Sequence, residues 1–272
     1  MYKNNIKVAL TIDFEDYNYN FSRDYIGDDP KFNEEELKKQ YWILRESFDI
    51  LGAKATFFIV SKIIKLLGNN IINDIKTNYH IGCHSYQHLN LSRLSEKEFD
   101  LDTDRAKKIL EDIFQKEIIY YRAPYFSAEK ITNFFYKILS KHSFQYSSSI
   151  RLSNTAKSII TNEYNIHEIP LKSFGIGTKK YTIIGGTYFR ITPLNLIIKL
   201  LKNAAKNNFI PMVYLHNYDF DPFAKKLKFI NLKGKINNEI RYYGRRSVFD
   251  KLKGISNEFE FTSLDDFVNE WK

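Results

Sequence analysis

Two histidines four positions apart, His84 and His88, follow the short apolar stretch 79–83. On a helical turn, positions i and i+4 share a face, and two imidazoles so placed can bind one metal ion; imidazole suits zinc, iron, nickel and copper. Such a pair is also common on polar surface turns, so a metal reading needs a carboxylate from elsewhere. Asp13-Phe14-Glu15-Asp16 offers three carboxylates in four residues, at the end of the apolar run 7–12. Arg122, in Arg122-Ala123-Pro124-Tyr125, ends a further apolar run, and His216 ends another at 211–216. One carboxylate and two histidines leave coordination positions open, and a bound ion there lowers the pKa of water and polarises a carbonyl. A second carboxylate can then act as general base and His216 as proton donor to a leaving group, with Arg122 holding the base ionised. The chemistry these residue types permit together is metal-assisted hydrolysis.

Four runs that end in polar groups must be brought to one rim, and the rest of the chain reads as the means of doing so. The run 7–12 is apolar throughout, as expected of a strand buried on both faces. Leu37, Tyr41, Leu44, Phe48 and Leu51 recur at helical steps and Gly52 is placed to stop that helix. Residues 56–60 read as a second buried strand, and 63–75 as a helix broken near Gly68. Ser95-Glu96-Lys97-Glu98 has the form of a capping box before the helix carrying Phe99, Ala106 and Leu110. Strands are expected at 117–121, near 144–146, at 166–169, 181–184, 211–216 and 258–262, with helices at 128–140 and 192–206, the latter with Thr192 as N-cap and Pro193 at the first helical position. Residues 150–163 have no period and read as loop, and Ser263 as the cap of a last short helix. Strands alternating with helices argue for a parallel sheet with helical crossovers, whose strand ends hold the chemistry.

With 272 residues, 43% of them hydrophobic, the chain suits one α/β domain over 1–272. The lone Cys83 excludes an internal disulfide and reads as a small buried residue beneath the site. The N-terminus lacks a signal pattern and no apolar run reaches the ~20 residues of a membrane span, so the expectation is a cytoplasmic protein. The net charge of +9 suggests a partner bearing negative charge, such as a phosphate or a lipid surface; a nucleic-acid role would rest on charge alone and is not expected. Residues 217–247 are the least regular part and hold Lys225, Lys226, Lys228, Lys233, Lys235, Arg241, Arg245 and Arg246, either a solvated basic loop or an anion-binding segment. A homo-oligomer is compatible with all of this.

At this point the motifs resemble those of the polysaccharide deacetylase family, the NodB-homology carbohydrate esterases. His84-Ser85-Tyr86-Gln87-His88 matches the family's His-Ser/Thr-x-x-His, Arg122-Ala123-Pro124-Tyr125 its Arg-x-Pro-Tyr, Tyr214-Leu215-His216 its late Leu-x-His, and Asp13-Phe14-Glu15-Asp16 its Asp pair. The resemblance runs from Ile12 to His216 and beyond, and is nearest the intracellular-type branch of exopolysaccharide-locus deacetylases and allantoinase-like relatives. It implies a single-domain distorted (β/α) barrel with about seven parallel strands. It also implies a divalent metal, zinc in first place, and hydrolysis of an N-acetyl group from an amino sugar. In that reading Asp13 is the base and His84 and His88 are ligands, with Asp16 or Glu15 as the carboxylate ligand. Arg122 orients the base, the backbone N–H of Tyr125 holds the oxyanion, and His216 is the acid.

The expanded acidic motif leaves the carboxylate ligand open. Strand alternation puts Asp13 and Glu15 on one face, whereas alignment with the family's adjacent pair favours Asp16, which is preferred here. Ser147, Ser148 and Ser149 stand where the family often has an acid that tunes the histidine, and Asp219 or Asp221 could replace it. Arg190 either holds loops together or touches substrate; His80, His142 and His167 read as structural. The substrate expected is a sugar or glycan precursor, carried on a phosphate, for a surface polysaccharide, with peripheral contact to a membrane in the lipid-linked case. A hydrolase of a non-sugar amide, and a glycan-binding protein without turnover, are the alternatives.

Overall fold

The computed structural model describes residues 6–25, 31–176, 179–226 and 232–270. The first apolar run forms β1 (Ile6–Phe14), buried from Val8 onward. The remaining strands of its sheet are β2 (Thr56–Ile59), β3 (His80–Cys83), β4 (Tyr120–Tyr121), β5 (Tyr146–Ser147), β6 (Ile160–Thr161), β7 (His167–Glu168), β8 (Met212–His216) and β9 (Phe259–Thr262). Among the described residues the order across the sheet is β8-β1-β2-β3-β4-β5-β7-β6, with β9 also paired to β1. Every pairing is parallel except β6 with β7. The α/β class with parallel strands is as the sequence implies. The sheet is open, however: among the described residues its end strands β8 and β6 do not pair, so no closed barrel forms.

Helices cover the sheet and bury an aromatic-rich core that includes Phe14, Tyr41, Phe48, Phe57, Phe99, Tyr121 and Phe135. The helix Glu34–Leu51 starts where the Asn33 side chain accepts from Glu36 N and stops at Gly52, whose φ of 58° is left-handed. The capping box of Ser95 and Glu98 opens the helix Glu96–Phe114. The break at Gly68 separates a 3₁₀ stretch, Ser61–Leu66, from the helix Gly68–Asn78, and the Ser263 side chain caps Leu264–Asn269 through Asp266 N.

Several boundaries differ from expectation, for local reasons. The strand expected from 117 begins at Tyr120, because Ile118 N donates to the Glu111 side chain instead of joining the ladder. Phe144 N closes on Leu139 O at a helix end, so β5 starts two residues later than expected. Tyr181 belongs to a separate antiparallel pair, Phe174–Ile176 with Lys179–Tyr181, and not to the main sheet. The expected loop 150–163 contains β6 and the strand Arg151–Leu152, paired with Leu171–Lys172. Pro193 stays extended at ψ 142°, so its helix is Leu194–Lys206, while Thr192 ends the short helix Gly186–Ile191. The helix expected from 128 runs Thr132–Lys141; ahead of it Tyr125 and Phe126 have φ of 58° and 52° and turn the chain sharply. Nor do His84 and His88 lie on a helix. Ser85 and His88 have φ of 67° and 56°, and the segment is an irregular turn just past β3.

Candidate metal centre and catalytic site

The C-terminal ends of β1, β3, β4 and β8 bring the polar groups together. In the parallel ladder Asp13 stands opposite His216, and Cys83, one residue before His84, stands opposite Tyr121, one residue before Arg122. Arg122 is fully buried and donates from Nη1 to Asp13 Oδ1 at 2.8 Å and to Thr11 Oγ1 at 2.8 Å. Its Nη2 reaches Ser148 Oγ at 3.1 Å, its Nε reaches Ser148 O at 3.2 Å, and the guanidinium lies 4.1 Å from the Phe58 ring centroid. Burial works to raise the Asp13 carboxyl, but the Arg122 charge, with His84 and His216, outweighs it and holds Asp13 below its usual value.

Glu15, His84 and His88, all buried, place one ligand atom each within 4.8 Å of one another. His84 Nδ1–H donates to Arg122 O at 2.7 Å, which leaves Nε2 as the lone-pair nitrogen, 3.9 Å from Asp13 Oδ2. Burial lowers the His84 pKa to about 4, so the ring is neutral, as a ligand must be. His88 Nε2 lies 2.6 Å from Glu15 Oε2, while its Nδ1 is buried without a hydrogen-bond partner. Asn20 Nδ2 donates to Glu15 Oε2 at 2.8 Å, and Glu15 N donates to Asn217 Oδ1 at 3.0 Å. Burial opposes ionisation of Glu15, yet His88 holds its carboxyl well below the usual range. Two imidazoles and one ionised carboxylate, buried together, fit a first-row divalent metal.

His216 faces this group from β8, its Nε2 3.8 Å from Glu15 Oε1. Its Nδ1 is 3.1 Å from Asp219 Oδ2, which also accepts from His216 N at 2.9 Å, and its ring stacks on Tyr218 with centroids 4.6 Å apart. Burial would lower the His216 pKa, but the hydrogen bond and charge of Asp219 raise it overall. Asp219, itself fully buried, is 3.4 Å from Arg190 Nε. Arg190 also donates to Thr187 Oγ1 and to the carbonyls of Ile240 and Arg241, so it holds the helix Gly186–Ile191 to the helix Leu232–Tyr242 and not, as expected, loops to one another. Asp221, the other acid considered for His216, pairs with Lys39 at 2.8 Å instead. The wall beside His216 is made where Gly185 packs against the Tyr214 ring: a Cβ there would lie 1.9 Å from ring atoms, so only glycine fits.

Asp16, preferred from the motif, is not grouped with the histidines. Its carboxylate accepts from Tyr19 N at 3.1 Å and Asn33 N at 2.9 Å, capping the helix Tyr17–Tyr25 and tethering the next one, and burial raises its pKa to about 6. Tyr125 sits at the rim with its ring centroid 4.7 Å from that of His88. The turn carrying His88 is fastened by residues that no sequence pattern marked. Arg23 donates to Gln87 O and His88 O at 2.7 and 3.0 Å. Asp102 Oδ2 accepts from Tyr86 N at 2.9 Å, and the Gln87 backbone also bonds this carboxylate. Ser148 and Ser149 are legible now as well: the first holds Arg122, the second accepts from Ala123 N at 2.9 Å.

A scan against family models matches residues 32–147 to "Polysaccharide deacetylase" and residues 139–269 to a domain of unknown function, DUF3473. Residues 32–147 thus belong to the polysaccharide deacetylase family. That family comprises hydrolases of the amide C–N bond of acetylated sugars. The deacetylase match contains His84, His88 and Arg122 and the second match contains His216 and Asp219, while Asp13 and Glu15 precede both. No curated protein sequence matches the chain. Among solved structures, one described as a polysaccharide deacetylase of Mycobacterium smegmatis superposes with a TM-score of 0.62 at 15% identity, over 98% of this chain and 90% of that one. The peptidoglycan deacetylase PdaC of Bacillus subtilis superposes with a TM-score of 0.51 at 12% identity, over 99% and 93%. At these identities the two structures speak for the fold of a polysaccharide deacetylase.

Proposed function

We propose that this protein hydrolyses the N-acetyl group of an amino sugar with a divalent metal, zinc in first place, held by Glu15, His84 and His88. The observation that carries the reading is the convergence of those three ligand atoms within 4.8 Å, with the Asp13–Arg122 pair beside His84 and the His216–Asp219 pair beside Glu15. When bound, the metal supplies Lewis acidity toward water and the amide carbonyl. Asp13, held ionised by Arg122, takes the proton of the attacking water as its oxygen bonds the carbonyl carbon. The backbone N–H of Tyr125 steadies the charge that develops on the carbonyl oxygen. His216, held protonated by Asp219, gives its proton to the sugar nitrogen as the C–N bond breaks, and amine and acetate leave. Glu15 takes the ligand role in preference to Asp16, whose two oxygens are engaged by backbone N–H groups.

The substrate we infer is a phosphate-carried precursor of a surface polysaccharide, met on the cytoplasmic side. The supporting feature is the segment 225–246, with eight Lys and Arg residues against one acid, Glu239, in a chain of charge +9. Part of that segment is structural: Arg241 donates to Tyr218 OH at 2.6 Å, and Arg245 is buried and donates to Arg241 O and Asp221 O. Lys225, Lys226, Lys235 and Arg246 are exposed; Lys228 and the Lys233 side chain lie outside what is described.

Metal analysis paired with acetate release tests the reading, using nucleotide-linked, lipid-linked and polymeric N-acetylated sugars at low and raised salt. Acetate from the charged carriers, lost with chelator and weakened by salt, is the expected result. Release unaffected by chelator would end the metal reading, and faster turnover of neutral polymer would end the carrier reading. Fractionation of the source cells checks the location.

A further inference from the structure

The helix Leu232–Tyr242 is built the wrong way round for an ordinary surface helix, which buries its apolar stripe and shows water its polar face. Here the inward stripe is Gly234, Asn238, Arg241 and, just past the helix, Arg245, at steps of four, three and four residues. It is fastened by polar bonds: Tyr17 OH donates to Asn238 Oδ1, Arg241 to Tyr218 OH, and Arg190 to the carbonyls of Ile240 and Arg241. On the opposite face Leu232, Ile236, Ile240 and Tyr243 form the apolar stripe, exposed by 73%, 51%, 47% and 69%, with Phe223 exposed by 74%. At 100° per residue the two stripes lie about half a turn apart. Lys225, Lys226, Lys235 and Arg246 are exposed around the apolar stripe, and the one acid there, Glu239, is paired with Lys226 at 2.6 Å.

We propose that this outward face docks onto an anionic lipid bilayer. An apolar stripe set among cations is the pattern of a helix that lies in the interface, its aliphatic side chains at the acyl boundary and its cations on the headgroup phosphates. Charge chooses this occupant over a second copy of the chain, because self-pairing would set Lys225, Lys226, Lys235 and Arg246 against their own copies on a protein of charge +9. The helix that carries this face is tied to the chemistry through its inward side: Arg241 bonds Tyr218 OH, and Tyr218 stacks on His216. A sugar on a lipid diphosphate would thus be presented beside the catalytic rim. That use rests on the carrier reading above, whereas the docking itself does not need turnover.

The test is co-sedimentation of the full chain with vesicles of phosphatidylcholine containing phosphatidylglycerol, against phosphatidylcholine alone. Binding to the anionic vesicles is expected, weakened by salt, since each exposed cation contributes about fivefold in partition. Leu232→Ser/Ile236→Ser/Ile240→Ser should lower partition at least about tenfold while acetate release from a water-soluble N-acetylated sugar is unchanged. As a second readout, Ile240→Cys can be labelled with an environment-sensitive dye, the native Cys83 being buried, and its emission should shift to the blue only with anionic vesicles. No binding, or binding untouched by the triple substitution, overturns the proposal. So does a dimer in solution that the same substitution dissolves. Vesicle binding without acetate release would leave the docking standing and remove the deacetylation reading.

Discussion

Replacing Asp102 with Asn isolates the burial of one charge from the hydrogen bonds it makes. Asp102 sits in the helix Glu96–Phe114, buried, with Oδ2 accepting from the turn that carries His88 and Oδ1 without a partner. Burial pushes its carboxyl up to about 6 from the usual 3.8. At 1.36 kcal/mol per pH unit, that difference is worth about 3 kcal/mol. The sign follows from a carboxyl whose folded pKa is raised: its stabilising contribution is complete below about pH 4 and is lost as pH rises through about 6. Asn keeps a carbonyl oxygen where Oδ2 accepts and puts an uncharged NH₂ where Oδ1 has no partner, at a cost of about 1–3 kcal/mol. Above pH 7 the variant should therefore match the parent or exceed it by up to about 2 kcal/mol, and near pH 4 it should be the less stable protein. Asp102→Ala instead strips the acceptor from the turn and should lower metal affinity about 10–100-fold, as loss of a ligand's supporting bonds does, whereas Asp102→Asn should not. Urea unfolding of the metal-free forms across this pH range, with metal titration of the folded ones, reads both effects. A variant-minus-parent stability that does not change with pH would refute the burial argument, and equal metal loss in Asn and Ala would refute the role given to Oδ2.

The ligand and catalytic assignments yield three more expectations. Glu15→Gln should lose tight metal binding and Asp16→Asn keep it, by metal content after dialysis; the reverse outcome would return the ligand role to Asp16. Asp13→Asn should retain metal while turnover falls about 10²–10⁴-fold, as removal of a general base does; a loss of metal in that variant would make Asp13 a ligand. If His216 acts as the charged acid, activity falls as pH rises through its pKa, so Asp219→Asn, by removing the group that raises that pKa, should move the alkaline limb of the kcat profile to lower pH. An unmoved limb would assign it to another group.

Long-range order was legible where a periodic or apolar signal is long. β1, the helix Glu34–Leu51 and the capping box at Ser95 announce themselves because many residues share one burial pattern. The two-residue strands β4 and β5 are legible in place but not in length: Glu111 takes the Ile118 N–H and Phe144 N closes on Leu139 O, so each ladder starts later than the apolar signal does. His84 and His88 are legible as a pair, yet they sit on an irregular turn with left-handed Ser85 and His88 and not on a helical turn, which spacing alone cannot distinguish. Two arguments about the acidic motif disagreed: alternation along the strand pointed to Glu15, motif alignment to Asp16, and the geometry groups Glu15 with the histidines. Asp219 is only one of two options because a tuning acid is defined by proximity in space, and Asn20 and Asp102 leave no trace, being ordinary polar residues until the chain folds.

The pairing of β1 also dictates when a newly made chain becomes competent. Asp13 leaves the ribosome ahead of its ladder partner His216, which comes 203 residues later, and β9 comes later still. At about 5–20 residues per second the first strand waits roughly 10–40 s for β8. Through that interval β1 is an apolar segment with its backbone groups exposed along one edge and Arg122 lacks its contact with Met212, so no nascent fragment can hold a finished site. Slow growth of the chain past Met212 would lengthen the time in which that edge can pair with the wrong neighbour, which makes recovery of soluble protein sensitive to the speed of translation between β5 and β8.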